Sequence, residues 1–117
     1  MEVEKHMQGP VTVIALDGEL DSRTAPKVHE QFGDLVPPNG LVLIDLSRTS
    51  YMSSAGLRVL LLVYRQAQRN GARLALAGVP TDMRAVMAAT GFLSFFVLVD
   101  SVPAGVDALT SGAISLR

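Results

Sequence analysis

Leu41-Val42-Leu43-Ile44-Asp45-Leu46 is an apolar run interrupted by a single aspartate. Aliphatic residues occupy both alternating faces of it, which suits a strand covered on both sides, as in a parallel sheet. Downstream, a helix is predicted over residues 53–70, with Gly71 as its C-terminal stop. Arg73-Leu74-Ala75-Leu76-Ala77 then reads as another short strand. Strand, helix and strand in this order define a parallel βαβ unit with a right-handed crossover.

The same alternation continues outward. Upstream, residues 11–16 (VTVIAL) form a β-rich strand, and residues 2–7 its hairpin partner across Gln8-Gly9-Pro10. Ala25, Val28, Phe32 and Leu35 recur with helical spacing. Asp21, Ser22 or Thr24 caps that helix, Pro26 sits in its first turn, and Pro37-Pro38-Asn39-Gly40 ends it. Beyond residue 77, a helix starts at Thr81 or Asp82, carries Met83, Val86, Met87 and Thr90 on one face, and stops at Gly91 with a contact from Phe92. Residues 95–99 (FFVLV) read as another buried strand, and Ser101-Val102-Pro103 opens a last helix to about Thr110. The order is β-β-α-β-α-β-α-β-α. The expected fold is α/β: a mixed, mostly parallel sheet with an antiparallel N-terminal edge and about four packed helices. One domain spans residues 1–117, with an ordered core over about 3–110 and a loose tail over 111–117.

Composition narrows the function classes. The 117 residues are 49% hydrophobic and 18% charged, too apolar for a disordered chain. Ten basic against eleven acidic residues leave a net charge of −1, which gives no nucleic-acid or anionic-membrane surface. With no Cys, disulfide scaffolds, Cys-zinc sites and thiol catalysis are excluded. The longest apolar run, residues 59–64, is far short of the roughly 20 residues that cross a bilayer. Met1 to His6 is charged and does not resemble a signal peptide. A small soluble, cytoplasmic domain is expected, with no membrane insertion.

Catalytic signatures are missing. No G-x-G-x-x-G, G-x-x-x-x-G-K-[ST] or G-x-S-x-G pattern occurs. His6 and His29 lie far apart and read as surface residues. Asp45, at the end of a central strand, resembles the phospho-acceptor of receiver domains, but the acidic pair and the lysine such a site needs are absent. It is read instead as holding loop amides between residues 46 and 51. Catalytic residues, metal ligands and cofactors are all expected to be none.

The strongest local feature is Tyr51-Met52-Ser53-Ser54-Ala55-Gly56-Leu57, which puts two hydroxyls at a helix start. Ser53 as a cap accounts for one of them. Gly56 costs about 1 kcal/mol relative to Ala inside a helix and would lower the surface beside the hydroxyls. A structural and a functional reading both stand at this point. On the helix, Leu57, Leu60, Leu61 and Tyr64 form the expected core stripe. Arg58, Leu62, Arg65 and Arg69 fall on another side, as a solvated basic face or a contact for an acidic partner.

The stretch from Asp45 to Leu60 (DLSRTSYMSSAGLRVL) strongly resembles the core motif of STAS domains, above all the bacterial anti-sigma factor antagonists. Gly18-Glu19-Leu20-Asp21 with Thr24-Ala25 resembles their upstream motif, and the element order matches from about residue 3 to 110. The resemblance implies a binding module rather than an enzyme. Its unphosphorylated form would sequester a serine-kinase anti-sigma factor, phosphorylation would part the two, and a serine phosphatase would restore binding. By motif position the acceptor is Ser54, with Ser53 as second candidate. The family's common pattern has Asp before the acceptor and often Ser after it, where this chain has Ser53 and Ala55. Asp21, Ser53, Gly56, Arg58, Leu62 and Arg65 are the expected partner-binding residues. The alternative is a soluble STAS subunit with a structural role in a transport or sensory complex.

Overall fold

The computed structural model describes residues 1–112. Strand β1 (Glu2–Gln8) and strand β2 (Val11–Leu20) form an antiparallel hairpin in the register Glu2↔Asp17 to Gln8↔Val11, turning at Gly9, whose φ is +59°. Helix α1 (Ala25–Leu35) leads to strands β3 (Leu41–Asp45) and β4 (Thr49–Met52). Helix α2 (Ser54–Arg69), strand β5 (Arg73–Ala77) and helix α3 (Thr81–Thr90) follow. A 3-10 turn (Phe92–Phe95), strand β6 (Leu98–Val99) and helix α4 (Val102–Thr110) complete the order. The sheet runs β1-β2-β3-β5-β6, parallel from β2 onward, and β4 pairs with the far end of β2.

Period-two alternation sends the central strands' side chains to two cores. Ile14, Leu16, Val42, Ile44 and Leu76 meet α1, α2 and α3 through Val28, Phe32, Leu60, Val63, Met83 and Met87. Val11, Val13, Leu43, Ala75 and Ala77 meet α4 through Leu109 on the other face. Among the described residues no helix is long and apolar enough to cross a membrane.

Four expectations are corrected. First, residues 49–52, which carry no strand pattern, form β4. It is four residues long, with Thr49 and Met52 buried and Ser50 and Tyr51 exposed, and its anchor is polar: Thr49 Oγ1 donates to the Leu16 carbonyl at 2.8 Å. Second, residues 95–99 are not one buried strand. Gly91, at φ +82°, turns the chain into the 3-10 segment, Phe95 stays exposed, and only Leu98 and Val99 pair with β5. Tyr64 holds both aromatics from the side, 5.7 Å from Phe95 and 5.6 Å from Phe96 between ring centroids. Third, α3 buries only Met83 and Met87, whereas Val86 and Thr90 face out. Fourth, the buried side of α2 is Gly56, Leu57, Val59, Leu60, Val63 and Ala67, with Leu61 and Tyr64 only half-buried. The expected loose tail lies, from residue 113 on, outside the described residues.

Candidate functional site

The junction between β4 and α2 is built from three ties. Ser53 is extended (φ −86°, ψ 177°), and its amide donates to the Leu20 carbonyl at 3.0 Å, which docks the turn on the end of β2. Its Oγ accepts from the Gly56 amide at 3.4 Å, and its carbonyl accepts the first helical bond, from the Leu57 amide at 3.0 Å. Ser53 is therefore the N-cap. Ser54 is the first residue of α2. It is exposed, and its hydroxyl has no hydrogen bond among the described residues.

Gly56 does something other than expected. A Cβ there would stand 2.5 Å from the Leu20 carbonyl oxygen and 2.8 Å from Met52 Cγ. The glycine faces inward and lets α2 lie against the ends of β2 and β4; it opens no surface for a partner.

The start of α1 is organised by Asp21 and Thr24 together. Asp21 Oδ1 accepts from the Thr24 amide at 3.2 Å, and Thr24 Oγ1 accepts from the Asp21 amide at 2.9 Å. This reciprocal pair braces the turn ahead of α1; the N-cap residue is Thr24, whose own side chain makes no cap bond to the helix. Arg23 adds a bond from Nη2 to Asp21 Oδ2 at 3.1 Å. The Arg23 side chain is the chief reason the Asp21 carboxyl titrates below its ordinary value, aided by the Arg23 and Thr24 amides. The Asp21 carboxylate is occupied by these bonds, and the residue that borders the surface groove is its neighbour Ser22.

Two shallow grooves share α2 as a common wall. One, of about 610 Å³, is lined by Ser54, Ala55, Arg58, Leu61, Leu62, Arg65 and Phe92. The other, of about 220 Å³, runs between α1 and α2 past Ser22, Pro26, His29, Ala55, Arg58 and Leu62. The two helix starts thus lie side by side. Ala55, Arg58 and Leu62 form the ridge between the grooves, with Leu62 half-buried and Arg58 and Arg65 exposed without an ion pair among the described residues. Arg69 is exposed but lines neither groove. Sequence reasoning missed Phe92 as a wall, because its spacing after Gly91 signals a helix-cap contact.

Asp45 holds the loop after β3, its Oδ1 accepting from the Ser47 amide at 3.0 Å. Among the described residues, no cluster of three His, Asp or Glu side chains could hold a metal ion.

The sequence and the fold have counterparts among known proteins. The sequence model of the family described as "Mlab, STAS domain" matches residues 3–100. BtrV of Bordetella bronchiseptica, which carries the name of an anti-sigma factor antagonist, is 34% identical over 90 residues, or 76% of this chain and 78% of that one. The anti-sigma-B factor antagonist of Listeria monocytogenes is 35% identical over 79 residues, 67% of this chain and 69% of that one. The crystal structure of an anti-sigma factor antagonist from Mycobacterium paratuberculosis has the same fold, with a TM-score of 0.83 at 23% identity and 93% of each chain covered. The chain belongs to the STAS-domain family, among its anti-sigma factor antagonists.

Proposed function

We propose that this chain is a phosphorylation-controlled antagonist acting in the cytoplasm by binding rather than catalysis. Unphosphorylated, it occupies a serine-kinase anti-sigma factor through the ridge of Ala55, Arg58 and Leu62 and the grooves beside it. The kinase then transfers a phosphoryl group to Ser54. The Ser54 oxygen bonds to the γ-phosphorus of ATP, ADP leaves, and the hydroxyl proton passes to a base of the kinase. A serine phosphatase restores the hydroxyl by hydrolysis. The observation that carries this reading is the contrast between the two serines: Ser53 Oγ is engaged as a cap, whereas Ser54 is exposed, lines the larger groove, and has no hydroxyl hydrogen bond among the described residues.

The test is incubation with ATP and the cognate kinase, followed by site mapping. Ser54→Ala should abolish labelling and keep partner binding. Ser53→Ala should cost about 0.5–2 kcal/mol of stability as a lost cap and stay a substrate. Label on Ser53 in the wild type would move the acceptor. No label on either serine, with a transport or sensory assembly co-purifying instead, would favour the structural-subunit reading.

A further inference from the structure

The segment between Asp45 and Asp82 carries Arg48, Arg58, Arg65, Arg69 and Arg73 and not one acidic residue. Helix α2 lies wholly inside it, so none of its arginines has a carboxylate neighbour on the helix. Ser54 and Arg58 stand four residues apart, one turn along the same helix side, and both line the larger groove. All other residues lining that groove are apolar except Arg65, so no anion there competes for either guanidinium. The Arg58 side chain is exposed and without an ion pair among the described residues, and the Ser54 hydroxyl is unbonded.

Resting on the proposed acceptor role of Ser54, we infer that Arg58 is the internal counter-ion of the phosphorylated residue. The phosphoryl oxygens accept the guanidinium N–H donors in an i, i+4 pair with the anion on the N-terminal side, the favoured orientation on a helix. Phosphorylation then acts twice on the contact face. It adds charge at Ser54, and it withdraws Arg58 from the ridge between the two grooves. A carboxylate at position 54 reproduces this poorly, having one charge and two oxygens against a dianion and three.

Phosphoserine introduced at position 54 during translation tests the pairing without any kinase. The readout is the 31P titration of the phosphate in the full chain, compared with the same chain carrying Arg58→Gln, Arg58→Lys or Arg65→Gln. All four keep the helix N-terminus, so its effect cancels. The wild-type phosphate should lose its second proton about 0.3 pH units lower than in Arg58→Gln. Arg58→Lys should lie between them. Arg65, about 16 Å farther along the axis than Ser54, should matter little. Equal titration in wild type and Arg58→Gln would overturn the pairing, as would an equal displacement by Arg65→Gln, which would mark a diffuse field. Failure of kinase labelling at Ser54 would overturn the acceptor role instead, and the two results are independent.

Discussion

Gly56 shows how one residue can be legible in the sequence for the wrong reason. A glycine in a first helical turn signals that a side chain is not tolerated there, but it does not say which neighbour forbids it. Here the neighbour is backbone, the Leu20 carbonyl, which cannot swing aside. Gly56→Ala should therefore destabilise the fold by about 2 kcal/mol: the upper end of the roughly 1–3 kcal/mol typical of overpacking, because the neighbour is backbone, less the roughly 1 kcal/mol of helix propensity that Ala regains. A urea melt checks this, and an unchanged midpoint would mean that α2 can slide off the end of β2. Asp21 offers a second test. Its carboxyl titrates below the ordinary value in the folded chain because of its bonds to Arg23 and the Thr24 amide. Stability from this source is complete above the unfolded value near pH 3.9 and is lost as pH falls through the lower folded value. Asp21→Asn keeps a side-chain oxygen for the Thr24 amide and removes the charge, so urea midpoints measured from pH 5 to pH 2 should fall less steeply than in the wild type. Parallel curves would show that the exposed Arg23 pair contributes nothing.

At the scale of elements, the strands and helices with a strong period were legible, and those fixed by context were not. Leu41 to Asp45 and Ile14 to Leu16 announce buried strands because both faces are apolar. Thr49 to Met52 carries no such pattern, and its strand exists because β2 runs on past β3 and leaves an edge to pair with. The FFVLV run failed in the opposite sense. Its aromatics are satisfied by Tyr64 from α2, so the chain is free to form a 3-10 turn. The outer side of α2 was readable as a basic face with an apolar residue in its midst, but its groove was not, since Phe92 comes from a different element. Leu62 is the natural probe of that face. It is half-buried, on the ridge between both grooves, and outside the two cores. Leu62→Glu should place a charge in the proposed contact and abolish binding of the proposed kinase partner while moving the melting temperature by only a few degrees. A collapse of the melting temperature would assign Leu62 to the core instead.

For the whole molecule, the proposed phosphorylation raises the question whether a phosphate at Ser54 would act by changing the fold or by spoiling a surface. Ser54 sits outside both cores, and the bonds that dock its turn belong to Ser53. A phosphoryl group adds about −1.5 to −2 charge at pH 7, and at a helix N-terminus such charge is stabilised by typically 0.3–1 kcal/mol. Nothing in this location gives the charge a reason to unpack β2, β4 or α1. In a complex the same charge, and the Arg58 guanidinium paired with it, must be desolvated against the partner, at several kcal/mol per ion, which their mutual attraction only partly offsets. A penalty of about 3–4 kcal/mol weakens affinity a few hundredfold. The phosphorylated chain should thus bind the proposed kinase partner a few hundredfold more weakly, by calorimetry, while its melting temperature holds or rises by a few degrees. Amide shifts in heteronuclear NMR spectra should be confined to the neighbourhood of residues 51–58. Shifts spreading through β3 and β5, with a lowered melting temperature, would mean that the switch is a conformational change carried by the sheet.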